Sequence, residues 1–137
     1  MAIQAYSNSK EGYKQLSPNF RVREFACKDG SDPIFVDDEL VSILQKIREH
    51  FGKSLTITSA YRTPAHNKAC GGAAYSQHLY GRAADFKVSG VAPDVVAAYA
   101  EQLLPGRGGI GTYPPKAGRA TGWVHIDTRT EKSRWRG

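Results

Sequence analysis

Apolar residues recur at helical spacing in two windows of this chain and alternate with polar ones in others. Leu40, Leu44, Ile47 and Phe51, flanked by Val41 and Ile43, mark one face of a helix over about 38–51. Asp37 or Asp38 can cap its start, and Gly52 stands where a helix commonly ends in a left-handed residue. Val95, Val96, Tyr99, Leu103 and Leu104 predict a second helix over 93–104, stopped by Pro105-Gly106. A shorter helix opens at Thr63-Pro64, with Thr63 as cap, and Gly71-Gly72 stops it. Leu55-Thr56-Ile57-Thr58-Ser59 alternates and is rich in β-branched residues, which predicts a strand. Further strands are expected over 82–88 and 123–128, and a glycine-rich one over 108–113. Leu16 to Phe20 reads as a short helix start, with Pro18 at its first position and Phe20 and Phe25 as anchors. Residues 28–33, 76–81 and 116–121 are loops by composition, and residues 1–15 carry little pattern, as expected of a surface arm.

A length of 137 residues suits one domain with one core. No apolar run approaches the roughly 20 residues that span a bilayer. The first 15 residues lack the basic-then-apolar pattern of a secretion signal. Synthesis in the cytoplasm is the expectation, with any action outside the cell reached by lysis or another route. The net charge of +6 favours polyanionic partners. Arg129, Lys132, Arg134 and Arg136 cluster at the end and read as a solvated basic tail over 129–137. The basic residues lack the interleaved aromatics of a nucleic-acid stacking platform, so neither nucleic acid nor membrane is an expected partner. Cys27 and Cys70 are far apart and form no CxxC pair, which argues for two unlinked thiols over a thiolate zinc site. His50, in the last turn of a helix, and His66, with no acidic or thiol neighbour at ligand spacing, are given structural roles.

The chemistry concentrates in two stretches: Ser76-Gln77-His78-Leu79-Tyr80-Gly81-Arg82-Ala83-Ala84-Asp85-Phe86 and Gly122-Trp123-Val124-His125-Ile126-Asp127. Side chains alternate faces along a strand. Ala84, Phe86 and Val88 then share a core face, as do Val124 and Ile126, while Asp85, His125 and Asp127 fall on the opposite face. If the two strands lie together in one sheet, Asp85 and His125 project to the same side, and the loop bearing His78 can fold over them. Two imidazoles and one carboxylate are a common catalytic zinc set, leaving the fourth position for water. Spacing alone leaves open that these residues never meet.

The run Ser76-x-His78-x-x-Gly81-x-Ala83-x-Asp85, followed by Trp123-Val124-His125, resembles the M15 family of zinc peptidases, the D-alanyl-D-alanine carboxypeptidases and related endopeptidases of bacterial cell walls. Leu16-Ser17-x-Asn19-Phe20 with Glu24-Phe25, Ser59-Ala60-Tyr61-Arg62-Thr63, and Gly109-Ile110-Gly111-x-Tyr113 resemble other parts of the same family. The similarity runs over about 16–128 of a single domain, 1–137. It implies an α+β fold in which a small antiparallel sheet carries one zinc ion and packs against helices.

The resemblance also implies roles. His78, Asp85 and His125 become the metal ligands, and Arg62 the cation that binds substrate or stabilises an oxyanion. Ser76, Gln77, Tyr113 and Trp123 are expected to contact substrate, with Tyr61 and Tyr80 as further candidates for the pocket wall. The implied activity is hydrolysis of a peptidoglycan peptide bond by a monomer, as carboxypeptidase or endopeptidase, with a phage-type endolysin among the roles it allows. Many members place an acid three residues before the second metal histidine as general base. Here that residue is Gly122, and Trp123 stands where others carry a histidine. Asp127 is the nearest acid and is assigned the proton, with orientation of a ligand as its other reading. The vacancy at 122 keeps a rival in view, a zinc-containing wall-binding module without catalysis.

Overall fold

The computed structural model describes residues 2–137; Met1 lies outside the described residues. Among the described residues, nine strands and four α-helices form an α+β fold. In chain order the strands are β1 (Ile3–Ser7), β2 (Gln15–Ser17), β3 (Phe20–Arg21), β4 (Pro33–Asp37), β5 (Leu55–Ser59), β6 (Ala83–Val88), β7 (Gly108–Tyr113), β8 (Trp123–Asp127) and β9 (Lys132–Arg136). The helices are α1 (Asn8–Glu11), α2 (Asp38–Phe51), α3 (Pro64–Ala69) and α4 (Pro93–Leu103). A five-stranded sheet runs β5-β6-β8-β7-β9, and β1-β4 and β2-β3 form two small ladders beside it. Every pairing is antiparallel except β7 with β9, which is parallel.

The core lies between one face of the large sheet and helices α2 and α4. Phe86, Val124 and Ile126 from the sheet meet Leu40, Leu44 and Ile47 of α2 and Val96, Ala100 and Leu104 from and beyond α4. α2 matches its sequence pattern. The Asp37 side chain accepts from the Glu39 amide at its start, and Gly52 closes it at φ 62°. α4 sits rotated from its expected stripe. Val95 is exposed, whereas Ala100 is buried, because small residues let this helix approach the sheet.

Four further sequence expectations change. The surface arm expected over residues 1–15 carries regular structure in its described part: β1 pairs with β4 along its full length, from Ile3 opposite Asp37 to Ser7 opposite Pro33. The segment around Pro18 is the turn of the β2-β3 hairpin, and Ser17 gives its hydroxyl to Gln45 instead of capping a helix. Residues 129–137 are not a solvated tail. Lys132–Arg136 is the edge strand β9, and its arginines are tied to the body: Arg134 to Glu101 at 2.8 Å and Arg136 to Asp94 at 2.6 Å. His66 does have a thiol neighbour one helical turn on, since its Nε2 lies 3.4 Å from Cys70 Sγ. Both cysteines are free thiols.

Candidate metal centre

The pairing register places the site. Ser59 of β5 stands opposite Asp85 of β6, Asp85 opposite His125 of β8, His125 opposite Gly111 of β7, and Gly111 opposite Trp135 of β9. Directly opposed residues share a face, so one row across all five strands carries a hydroxyl, a carboxylate, an imidazole, a bare glycine and an indole. The other face of β6 and β8 is core. Gly111 is required here: a Cβ would overlap the Trp135 indole, which lies across it and sits 5.0 Å, ring to ring, from His125.

His78 arrives from the neighbouring loop. Residues Gln77–Tyr80 make one turn of 3-10 helix, capped by the Ser76 hydroxyl on the His78 amide and closed by Gly81 at φ 71°. A side chain at Gly81 would strike the Phe35 backbone of β4, so glycine meets both the left-handed conformation and the close approach. The turn buries His78 and directs its Nε2 to 3.4 Å from Asp85 Oδ2.

The far nitrogens settle which tautomers face inward. His78 Nδ1 lies 2.7 Å from the Ala60 carbonyl, which can only accept, so Nδ1 carries a proton and Nε2 is the inward nitrogen. His125 Nε2 lies 2.7 Å from Asp127 Oδ2, and its Nδ1 points at Asp85 Oδ1, 2.9 Å away. Ligand atoms of His78, Asp85 and His125 all fall within 4.8 Å of one another. The set fits a divalent zinc-like ion by the chemistry of its donors: two nitrogens and an oxygen, each imidazole held from behind by an acceptor. Burial opposes ionisation of Asp85, but the hydrogen bond from His125 and the His78 imidazole beside it hold its carboxyl well below the usual range. Burial likewise opposes a charge on His125, and the bonds to Asp127 and Asp85 outweigh it, raising its pKa. A metal held by His78, Asp85 and His125 would require the inward nitrogen of His125 to give up the proton it shares with Asp85.

Asp127 is fully buried and both its oxygens are engaged. Oδ1 accepts from the Gly109 amide at 3.0 Å, the Arg129 amide at 3.2 Å and Arg129 Nε at 2.8 Å; Oδ2 accepts from His125 Nε2 and Arg129 Nη2, each at 2.7 Å. Against the burial that opposes its charge, the bonds from His125 and Arg129 keep its carboxyl well below the ordinary range. No face of it is open to take a proton from the site. Its placement suits the orienting role and disagrees with the assignment of the general base to Asp127. Position 122 offers no replacement, because a Cβ there would overlap the Tyr113 carbonyl and crowd Pro93 and Pro114. Gly122→Glu is therefore expected to lower stability by about 1–3 kcal/mol without creating a base. Thermal unfolding and a peptide-cleavage assay check this together.

Arg62 stands beside the triad with Nη2 3.5 Å from Asp85 Oδ2. Ser59 accepts from its Nε at 3.1 Å and Asn67 from its Nη1 at 3.3 Å, so the guanidinium is fixed. Tyr113 and Trp123 stack at 4.6 Å with planes 9° apart, Arg119 lies over both rings, and Trp135 donates its indole N–H to the Tyr113 hydroxyl at 2.7 Å. Ser76 is occupied as a cap, and Gln77 Oε1 is buried without a partner. Tyr61 and Tyr80 are not part of this wall; they line a cavity with Phe35, Leu79 and Arg82.

The sequence profile of the family described as Peptidase M15 matches residues 15–127. The chain belongs to the M15 peptidase family. A comparison with curated proteins gives no match. The matched span of this M15 chain contains the triad, Arg62 and Asp127, while β9 lies beyond it. Sequence reasoning missed Trp135 and Arg129 for that reason, and because both sit in a run of cations. The signal that points to them is the single large aromatic within that run. No helix among the described residues is long and apolar enough to cross a membrane.

Proposed function

We propose that this M15 chain is a zinc peptidase that hydrolyses peptide bonds of peptidoglycan, as a D-Ala-D-Ala carboxypeptidase or a stem or cross-link endopeptidase, and works as a monomer. The observation that carries the reading is the tautomer-fixed His78–Asp85–His125 set on the face of the sheet opposite the core, within a matched peptidase family. Zinc bound by the three residues would supply Lewis acidity toward a carbonyl and acidify water. The protein's own groups supply the rest. Ala60 and Asp127 hold the imidazoles in ligating orientation. Arg62, pinned by Ser59 and Asn67, presents N–H groups where negative charge develops on the scissile oxygen. Trp135, Tyr113 and Trp123 form an aromatic wall that excludes water from one flank and packs against apolar parts of a peptide. The positive net charge favours approach to an anionic wall.

Arg62→Ala is expected to lower kcat by about 10²–10³ while zinc stoichiometry stays near one per chain. Steady-state kinetics on muropeptides, with metal analysis of the same samples, measures both. A rate loss accompanied by loss of zinc would place Arg62 in metal retention instead.

A second reading is favoured by one feature, the missing acid at Gly122 together with the sealed carboxylate of Asp127. In it the chain keeps the fold and the metal and binds wall peptides without cutting them. Muropeptides incubated with the zinc-loaded protein separate the two: new peptide ends support hydrolysis, and retention without new ends supports binding alone.

A further inference from the structure

Only two buried side-chain polar atoms lack a partner among the described residues, Gln77 Oε1 and Arg82 Nε. Arg82 stands just after the turn that carries His78, and it makes no ion pair or side-chain hydrogen bond among the described residues, unlike Arg62, Arg107, Arg119, Arg129, Arg134 and Arg136. A buried donor left unpaired is costly, and native structures normally provide it with a partner. The space beside it is a cavity of about 340 Å³ walled by Ile3, Phe35, Tyr61, Leu79 and Tyr80. Ile3, Phe35 and Tyr80 are 39%, 38% and 43% exposed, so among the described residues half of the six large apolar side chains that face solvent converge on this one hollow. Phe35 and Tyr61 pack edge to face at 5.3 Å and stiffen its floor. None of the metal-site residues lines it.

We propose that this cavity is a second binding site, separate from the metal centre, for the C-terminal carboxylate of a peptide whose last side chain is apolar. A guanidinium presents a planar fork of donors that matches a carboxylate, and it is the only charged side chain among the described residues of the lining, which place no carboxylate against an incoming anion. The aromatic and aliphatic walls remove the terminal side chain from water. The site also touches the metal loop: Leu79 and Tyr80 belong to the same 3-10 turn as His78, and the carbonyl of Gln77 accepts from the Arg82 amide. A peptide seated here therefore lies against the outer side of the turn that presents a metal ligand. The site stands on its own geometry and does not depend on the chain being a peptidase.

The probe is N-acetyl-L-phenylalanine, compared with its uncharged amide, titrated into the isotope-labelled full-length protein and followed by backbone amide shifts. The carboxylate is expected to give saturable shifts at Phe35, Tyr61, Leu79, Tyr80 and Arg82, and the amide to bind at least about tenfold more weakly, the scale of one charge-assisted contact. Arg82→Gln is expected to lose that preference, and Arg82→Lys to keep part of it because the charge remains without the fork. Equal binding of acid and amide to the unaltered protein overturns the proposal whether or not either variant folds. So does a full set of shifts confined to residues around His125, or undiminished carboxylate binding by Arg82→Gln.

Discussion

His78→Ala is expected to yield a folded protein that holds no zinc against a chelator and leaves muropeptides uncut. The imidazole is buried, donates only to the Ala60 carbonyl, and points its other nitrogen at Asp85. Its removal leaves two ligands, and a catalytic zinc site with two protein ligands is not retained. The fold itself rests on the opposite face of the sheet, where Phe86, Val124 and Ile126 meet α2 and α4. Far-UV and near-UV circular dichroism report the fold, and metal analysis after dialysis reports the site. A variant that keeps stoichiometric zinc would remove His78 from the ligand set. His78→Gln, which better preserves volume, repeats the test should the alanine variant unfold.

Asp127→Asn is the second large effect, and it distinguishes the two roles open to this carboxylate. Each oxygen of Asp127 accepts from at least two donors, so an amide must turn its NH2 toward N–H groups whichever way it sits. One orientation confronts His125 Nε2; the other confronts the Gly109 amide and Arg129. The loss also leaves Arg129 without its charge partner. Breaking a buried pair of this kind costs about 3–5 kcal/mol. Zinc affinity is expected to fall about 10–100-fold, as for other groups that orient a metal-bound imidazole. Chelator competition on the zinc-loaded protein measures this directly. Unchanged affinity with abolished cleavage would instead make Asp127 the proton acceptor.

Much of the site was legible because side-chain parity in a strand is a local property. Asp85 and His125 separate from Phe86, Val124 and Ile126 by alternation alone. That β6 and β8 are neighbours, with Asp85 directly opposite His125, is a matter of tertiary pairing and rested on resemblance. The end of the chain was misread because Lys132-Ser133-Arg134-Trp135-Arg136 looks solvated until Glu101, Asp94 and the carbonyls of Leu104 and Gly108 are seen to receive its arginines. β4 was also hidden. Ile34 and Val36 do alternate and are buried, but the loop read over 28–33 ends on Pro33, and the four residues between it and the helix were assigned no element. Pro18-Asn19 carries both a helix-start and a turn signal, and the Gln45 side chain, which takes the Ser17 hydroxyl and the Asn19 amide, decides for the hairpin. The absent acid at 122 was plain in the sequence, whereas the reason for it was not: the backbone of Tyr113 occupies the space.

The central claim is that the His78–Asp85–His125 face of this M15 chain holds zinc and cuts peptidoglycan peptides. Mass spectrometry of defined muropeptides incubated with the zinc-loaded protein tests it most directly, with His78→Ala as the control. The account predicts fragments whose summed mass exceeds the parent by one water, from the unaltered protein only. Intact muropeptides in the presence of stoichiometric zinc would contradict it and leave a wall-binding module in its place.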